Sequence, residues 1–221
     1  MIDILLPPEV AAVSVLGDLS PTDGHGLFPA EAEAIARSVE GRRAEFTTVR
    51  MCARRAMDKL GLPPAPLVPG KRGAIDWPDG VTGSMTHCLG FRAAAVARTG
   101  VAVSLGIDAE RNLPLPDGIL DVVSLPRERA ALTALARRRP DVHWDRLLFS
   151  AKESVFKTWY PLTRRELDFT EAELDFDPEA GTFSARLLVP GPEVAGQRHG
   201  TFSGRWTVSR GFALTAIALP G

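Results

Sequence analysis

Three carboxylates and a lysine, set in two short stretches, have the types and spacing to act on phosphate groups. The first stretch is Gly106-Ile107-Asp108-Ala109-Glu110, which follows the apolar run Val101 to Leu105. It reads as a strand that carries two carboxylates out of a buried core. Side chains alternate faces along a strand, so Asp108 and Glu110 project to the same side, roughly 6.5 to 7 Å apart along the chain. The second stretch is Ser150-Ala151-Lys152-Glu153-Ser154-Val155-Phe156-Lys157-Thr158-Trp159-Tyr160. It reads as a helix with Glu153 and Lys157 one turn apart on a common face. Folded together, Asp108, Glu110 and Glu153 would offer oxygen ligands to a hard divalent cation, with Lys157 as a phosphate-binding ammonium. The plain alternative for Glu153 and Lys157 is an exposed ion pair, worth about 0.3 to 0.5 kcal/mol.

Several elements must position these groups. Helical patterns span about 126–138 and 143–159, with Asp141 as the expected N-cap of the latter and Pro161 as its end. Trp144, Leu148, Ala151, Val155 and Trp159 form its core stripe, opposite Arg146, Ser150, Glu153 and Lys157. From Glu171 to Leu219 the chain alternates as a β-meander, interrupted by a loop from Pro190 to Gly200.

The N-terminal part opens with a strand-like start and a Gly/Asp/Pro-rich loop, Gly17 to Phe28. From Pro29 to Leu60 a helical pattern runs through Ile35, Val39, Phe46, Val49, Ala53 and Met57, with Gly41 as a candidate break. It is arginine-dense: Arg42, Arg43, Arg50, Arg54 and Arg55. On a continuous wheel Arg42 falls within the apolar stripe, where a guanidinium needs an anion, either a carboxylate or a ligand phosphate. The ordinary reading is solvation or pairing with Glu40, Glu45 and Asp58. A Pro-rich connector leads to the turn Gly70-Lys71-Arg72-Gly73, and then to Gly83-Ser84-Met85-Thr86-His87-Cys88 before the apolar strand Phe91 to Ala97. Ser84, Thr86 and His87 are donors at the end of a strand, suited to phosphate or equally to structure. Each half thus reads as a helix followed by short antiparallel strands, a pseudo-duplicated α+β fold with halves 1–105 and 106–221.

Composition narrows the class. The 221 residues suffice for one domain of two packed halves, and a net charge of −1 gives no case for nucleic-acid binding. No apolar run approaches the roughly 18 residues that span a bilayer, so no membrane association is expected. The start of the chain has no basic leader of a secretory signal. Two cysteines, Cys52 and Cys88, cannot make a disulfide framework or a zinc site alone, and read as free thiols in a reducing cytoplasm.

The order Arg42-Arg43-x-Glu45-Phe46-x-x-x-Arg50, Ser84-Met85-Thr86-His87, Gly106-Ile107-Asp108-Ala109-Glu110 and Lys152-Glu153-Ser154-x-x-Lys157-x-Trp159-Tyr160-Pro161-Leu162-Thr163 resembles the Sfp-type 4′-phosphopantetheinyl transferases. The likeness is greatest to the actinobacterial branch that serves fatty-acid, polyketide and nonribosomal peptide synthases, and it runs from about Glu31 to Leu219. The chain departs from the family pattern at Ser154 and Phe156, where Ala and Tyr are expected, and around Arg165-Glu166, where a tryptophan-leucine-glycine run is expected.

The resemblance implies a cytoplasmic monomer of two similar α+β halves with the active site in the cleft between them. It implies transfer of phosphopantetheine from coenzyme A to a serine of an apo acyl or peptidyl carrier protein, with release of 3′,5′-ADP. Asp108, Glu110 and Glu153 would then hold Mg²⁺, with Mn²⁺ the other candidate. Glu153 would be the base for the serine, directly or through a metal-bound water, with Lys157 beside it. Lys157, His87, Ser84 and Thr86 would meet the phosphates, and Arg42, Arg50 and the Lys71/Arg72 turn would hold the nucleotide end. Two other readings carry the same residues: a catalytically silent binder of coenzyme A or carrier protein, and an unrelated Mg²⁺-dependent phosphohydrolase. The second leaves the arginine-rich helix unexplained.

Overall fold

The computed structural model describes residues 1–19 and 26–221, so part of the loop expected over 17–28 lies outside the described residues. After a short 3-10 turn at Asp3–Leu5, the N-terminal half contains β1 (Ala11–Leu16), α1 (Pro29–Ala34), α2 (Glu40–Lys59), β2 (Val81–Cys88) and β3 (Phe91–Arg98). Its sheet is antiparallel, in the order β1-β3-β2. The C-terminal half contains β4 (Ser104–Arg111), α3 (Ile119–Val123), α4 (Pro126–Arg138), α5 (Trp144–Thr163), β5 (Ala172–Asp177) and β6 (Thr182–Leu187). It continues with the hairpin β7 (Glu193–Val194) and β8 (Gln197–Arg198), then β9 (Thr201–Ser209) and β10 (Phe212–Leu219). Its five-stranded antiparallel sheet has the order β4-β10-β9-β6-β5. The fold is α+β, with two halves that each pack a long helix on a sheet.

The strand β3 explains how the halves join. Half of its residues are alanine, and its side chains alternate between two cores. Ala94 and Val96 meet Cys52, Ala53, Ala56 and Met57 of α2. Phe91, Ala93, Ala95 and Ala97 instead join Leu105, Ile107 and Ala109 of β4, Leu214 and Ala216 of β10, and Ile2, Leu5 and Leu6 of the first turn. That second core is therefore shared by both halves. A third core sets the stripe Trp144, Leu148, Ala151, Val155 and Trp159 of α5 against the C-terminal sheet.

Four sequence expectations change. The helix from Pro29 breaks between Ala34 and Glu40, and Gly41 lies inside the first turn of α2. The cause is a buried pair: Arg54 Nη1 donates to both carboxylate oxygens of Glu31, at 3.0 and 3.1 Å. On one continuous helix these residues would stand about 34 Å apart, so the chain must fold back. With α2 starting at Glu40, Arg42 sits in its first turn and is exposed rather than part of the buried stripe. Asp141 does not cap α5, because it pairs with Arg139 and the helix begins beyond it at Trp144. Pro161 lies within α5, which runs on to Thr163, where the Thr163 hydroxyl donates to Trp159 O. A proline in the last turn removes one bond from a segment already held by buried Trp159 and Tyr160.

The seat of α5 is set by Gly106. A Cβ at that position would overlap Ser154 O and Thr158 Oγ1. Gly106→Ala is expected to lower stability by about 1–3 kcal/mol through overpacking. Urea unfolding of the purified variant measures this, and an unchanged midpoint would mean that α5 is not tightly seated there.

Candidate active site

β4 delivers Asp108 and Glu110 to one side of the strand, as period-two alternation requires, and α5 crosses above them. Lys157 Nζ donates to Asp108 Oδ1 at 2.7 Å and to Ile107 O at 3.1 Å. It therefore turns to the strand carboxylate, not to Glu153 one turn earlier on its own helix. Glu110 accepts from Arg146 Nη1 at 3.1 Å, and Arg146 is tied further to Leu113 O and Pro114 O. Ser150, expected on the open face of α5, is fully buried and hydrogen-bonds Thr215 of β10. Ser154 does the same at 2.7 Å, so the serine in place of the family's alanine supplies a helix–sheet bond.

A cavity of about 430 Å³ gathers groups from both halves: Arg42 and Arg50 of α2, Thr86 and His87 of β2, Asp108 and Glu110 of β4, and Phe149, Glu153 and Lys157 of α5. Eight of the predicted site residues meet here. Lys71, Arg72 and Ser84 do not line it. Arg72 pairs with Glu166 across the halves at 2.7 Å and, with Glu153 and Phe156, lines two smaller neighbouring cavities of about 230 and 160 Å³. Ser84 lines the smaller of these, and Lys71 is exposed on its turn.

The hydroxyls of Ser84 and Thr86 are committed to structure. Ser84 Oγ accepts from Ile107 N–H at 3.1 Å, and Thr86 Oγ1 accepts from Ala109 N–H at 3.2 Å. They satisfy the outer edge of β4, whose opposite edge pairs with β10. Thr86 also donates to Asp108 Oδ1 at 3.2 Å. Arg50 is buried, donates from Nε to Leu67 O at 3.1 Å, and lies over the Phe46 ring at 3.2 Å from its centroid. Burial brings its pKa down to about 10. Lys152 points away from the cavity into a buried pair with Glu128 at 2.8 Å, and donates also to Phe169 O and Ala172 O. It anchors the helix turn that carries Glu153.

The acids are electrostatically crowded. Burial, then the Asp108 charge, raises the pKa of Glu110 against the lowering by Arg146. Burial raises Glu153 as well, opposed by Lys157 and reinforced by Asp108. Asp108 is 5% exposed, and its Oδ2 is buried without a hydrogen-bond partner. Among the described residues no three His, Cys, Asp or Glu side chains stand ready to hold a metal ion; Lys157 and Arg146 engage Asp108 and Glu110. An unpartnered carboxylate oxygen beside two destabilised acids nevertheless fits the oxygen-donor chemistry of a hard cation.

Sequence reasoning missed Arg146 as the partner of Glu110 and Glu45 as a hub on α2. Glu45 stands in the Arg42-Arg43-x-Glu45 stretch, and its spacing from Arg42 was the available clue. Three surface arginines on the C-terminal half are paired: Arg164 with Asp76, Arg138 with Glu179 and Arg139 with Asp141. Among the described residues no helix is long and apolar enough to cross a membrane.

The sequence that builds these two halves, with acids on an edge strand facing a lysine on the long helix, has clear relatives. The family model for the 4′-phosphopantetheinyl transferase N-terminal domain matches residues 30–97, and that for the 4′-phosphopantetheinyl transferase superfamily matches residues 104–214. The 4′-phosphopantetheinyl transferase Svp of Streptomyces mobaraensis is 63% identical over 219 residues, covering 99% of this chain and 89% of that protein. PptT of Mycobacterium tuberculosis is 50% identical over 205 residues (90% and 89%), and Npt of Nocardia iowensis 47% over 229 residues (99% of each). The chain belongs to the 4′-phosphopantetheinyl transferase superfamily, and it is an enzyme of that class.

Thr86→Val keeps the side-chain shape but removes the acceptor for Ala109 N–H and the donor to Asp108. It is expected to lower stability by about 1–3 kcal/mol, the cost of an unsatisfied buried group. Chemical denaturation checks this, and a midpoint equal to wild type would show that β4 does not depend on the hydroxyl.

Proposed function

We propose that this enzyme transfers 4′-phosphopantetheine from coenzyme A to a serine of an apo acyl or peptidyl carrier protein, in a Mg²⁺-dependent reaction that releases 3′,5′-ADP. The observation that carries the reading is the cavity in which Arg42, Arg50, His87 and Lys157 face the acids Asp108, Glu110 and Glu153. Cations there suit the phosphates of coenzyme A, and carboxylates suit a metal and a proton. In this reading the cavity is the active-site cleft between the halves. Residues 1–105 take the nucleotide end, with Arg72, which lines the two neighbouring cavities, rather than Lys71 facing the ligand. Residues 106–221 supply the metal site and the catalytic helix. The protein acts in the cytoplasm as a monomer.

The chemistry follows from the residue types. The serine Oγ forms a bond to the pantetheine-side phosphorus of the pyrophosphate, and the P–O bond to the nucleotide-side phosphate breaks. Glu153 takes the serine proton; its half-buried position raises its pKa and makes it a stronger base. Lys157, fixed by Asp108, holds an ammonium beside the phosphate oxygens as charge shifts onto the leaving group. Mg²⁺, held by Asp108, Glu110 and Glu153, would supply charge neutralisation on the pyrophosphate. Arg42 and Arg50 grip the 3′-phosphate end, while Ser84 and Thr86 serve by holding β4.

Intact-protein mass spectrometry of an apo carrier incubated with the enzyme, coenzyme A and Mg²⁺ tests the reading. A gain of one phosphopantetheine that EDTA abolishes is expected, and no gain across acyl and peptidyl carriers would overturn it. Glu153→Gln is expected to slow transfer by about 10²–10⁴-fold with the fold intact, and a near wild-type rate would remove Glu153 from the base role. Arg50→Ala should weaken coenzyme A binding by about 10- to 100-fold, as loss of a charge-assisted contact does, with a smaller loss for dephospho-coenzyme A. Equal losses in a calorimetric titration would place Arg50 away from the 3′-phosphate.

A further inference from the structure

Beyond the groups assigned above, one acidic residue on α2 contacts two polar side chains that line the cavity and a buried arginine behind them. Glu45 Oε1 accepts from Arg92 Nη2 at 3.2 Å, and Glu45 Oε2 accepts from Arg42 Nη1 at 3.4 Å. The same oxygen lies 3.7 Å from Nδ1 of His87. On the other side of that imidazole, Arg42 Nη1 stands 2.7 Å from Nε2. His87 is therefore held between an anion at one ring nitrogen and a cation at the other.

A guanidinium only donates hydrogen bonds, so the nitrogen facing Arg42 must accept. The ring proton then belongs on Nδ1, toward the Glu45 carboxylate. An imidazolium would put an N–H against the Arg42 N–H. Burial and then the Arg42 charge push the His87 pKa down, with Arg92 and Lys157 adding to this and Glu45 opposing it, in keeping with a neutral ring.

We infer that Glu45 is a positioning residue: together with Arg42 it holds His87 as the Nδ1-protonated tautomer, and through that ring and its own contact it sets the Arg42 guanidinium at the cavity between α2 and β2. Arg92 keeps Glu45 in place. Arg92 is 3% exposed and is held from its other side by both carboxylate oxygens of Asp18, at 2.9 and 3.2 Å. The side chains that would meet a ligand phosphate are thus aligned before any ligand arrives, which reduces the ordering cost of binding. The binding consequence rests on the coenzyme A reading above; the tautomer does not.

The test has two arms. The chain has four histidines, so a long-range proton–nitrogen correlation spectrum of the ligand-free, nitrogen-15-labelled protein resolves each ring, with His87 assigned by its loss in His87→Gln. Wild type is expected to show a protonated Nδ1 and an unprotonated Nε2 at His87. Glu45→Gln, which exchanges the carboxylate for a neutral amide, should weaken the hold on the Nδ1 proton and let the ring leave Arg42, read as averaging of the two ring-nitrogen shifts, and Glu45→Asp should restore the wild-type pattern. In the kinetic arm, Glu45→Gln should raise KM for coenzyme A by about tenfold, equivalent to 1.4 kcal/mol, while kcat falls far less. Combined with Arg42→Ala it should add little to the loss from Arg42→Ala alone, since both act through one guanidinium. A wild-type His87 protonated on Nε2 overturns the inference, as does a Glu45→Gln protein that leaves tautomer and KM unchanged. If Glu45→Gln does not fold, the wild-type tautomer decides alone. If wild type transfers nothing, the function reading fails while the spectrum still decides the role of Glu45.

Discussion

The close approach of α5 to β4 and β10 is the contact on which the other features rest. It is made of small residues: Gly106 and Ser104 on β4, Thr215 on β10, and Ser150, Ser154 and Thr158 on the helix. Larger side chains would lift the helix off the sheet. At this separation Lys157 reaches Asp108 on the strand, and Glu153 comes to face the same cavity. The hydroxyls serve two ends at once, since they fill little volume and also saturate polar atoms that the contact would otherwise bury unpaired. The bulky stripe from Trp144 to Trp159 packs beside this contact against the rest of the same sheet.

Polar groups buried around this contact fix geometry more than they add stability. Removing ion pairs such as Lys152–Glu128 and Arg54–Glu31 from water is costly, and further hydrogen bonds to the two carboxylates help offset that cost, while Arg54 Nε stays buried without a partner among the described residues. Glu128 accepts from Leu125 N and Leu174 N, and Glu31 from Phe28 N and Leu67 N. Each pair ties elements distant in sequence to a helix that lines the cavity, so side-chain positions at the cavity follow from anchors behind it. Arg92 has the same role on the N-terminal sheet, where it sets Asp18 and Glu45 with one guanidinium.

What could be read from the sequence was what repeats or alternates locally. The placement of Asp108 beside Glu110, the α5 stripe and the meander from β5 to β10 each follow from a period of two or of about 3.6 residues. The gathering of Asp108, Glu110, Glu153 and Lys157 came from motif order, not from periodicity. What could not be read depended on partners far along the chain. Gly41 hinted at a break near Val39, but its position before Glu40 could not be read, because it depends on Glu31 reaching Arg54. Nothing in Ser84 or Thr86 distinguishes a phosphate ligand from a hydroxyl serving the edge of β4. The exposure of Arg42 follows from where α2 starts, and the wheel that placed it in the core assumed a helix without a break.

Strand β4 also determines when the site can exist. It runs beside β10, with Ser104 opposite Leu219, and α5 lies across both. Everything from α3 to β9 is therefore synthesised before β4 gains its ladder partner. A nascent chain can complete α2 and the first sheet early, since segments fold in order as they leave the ribosome, but its acids then lie on an unpaired edge. Chains cut short before β10 thus hold every charged residue of the cavity and no arrangement of them, so catalytic competence and completion of the sheet arrive in the same event.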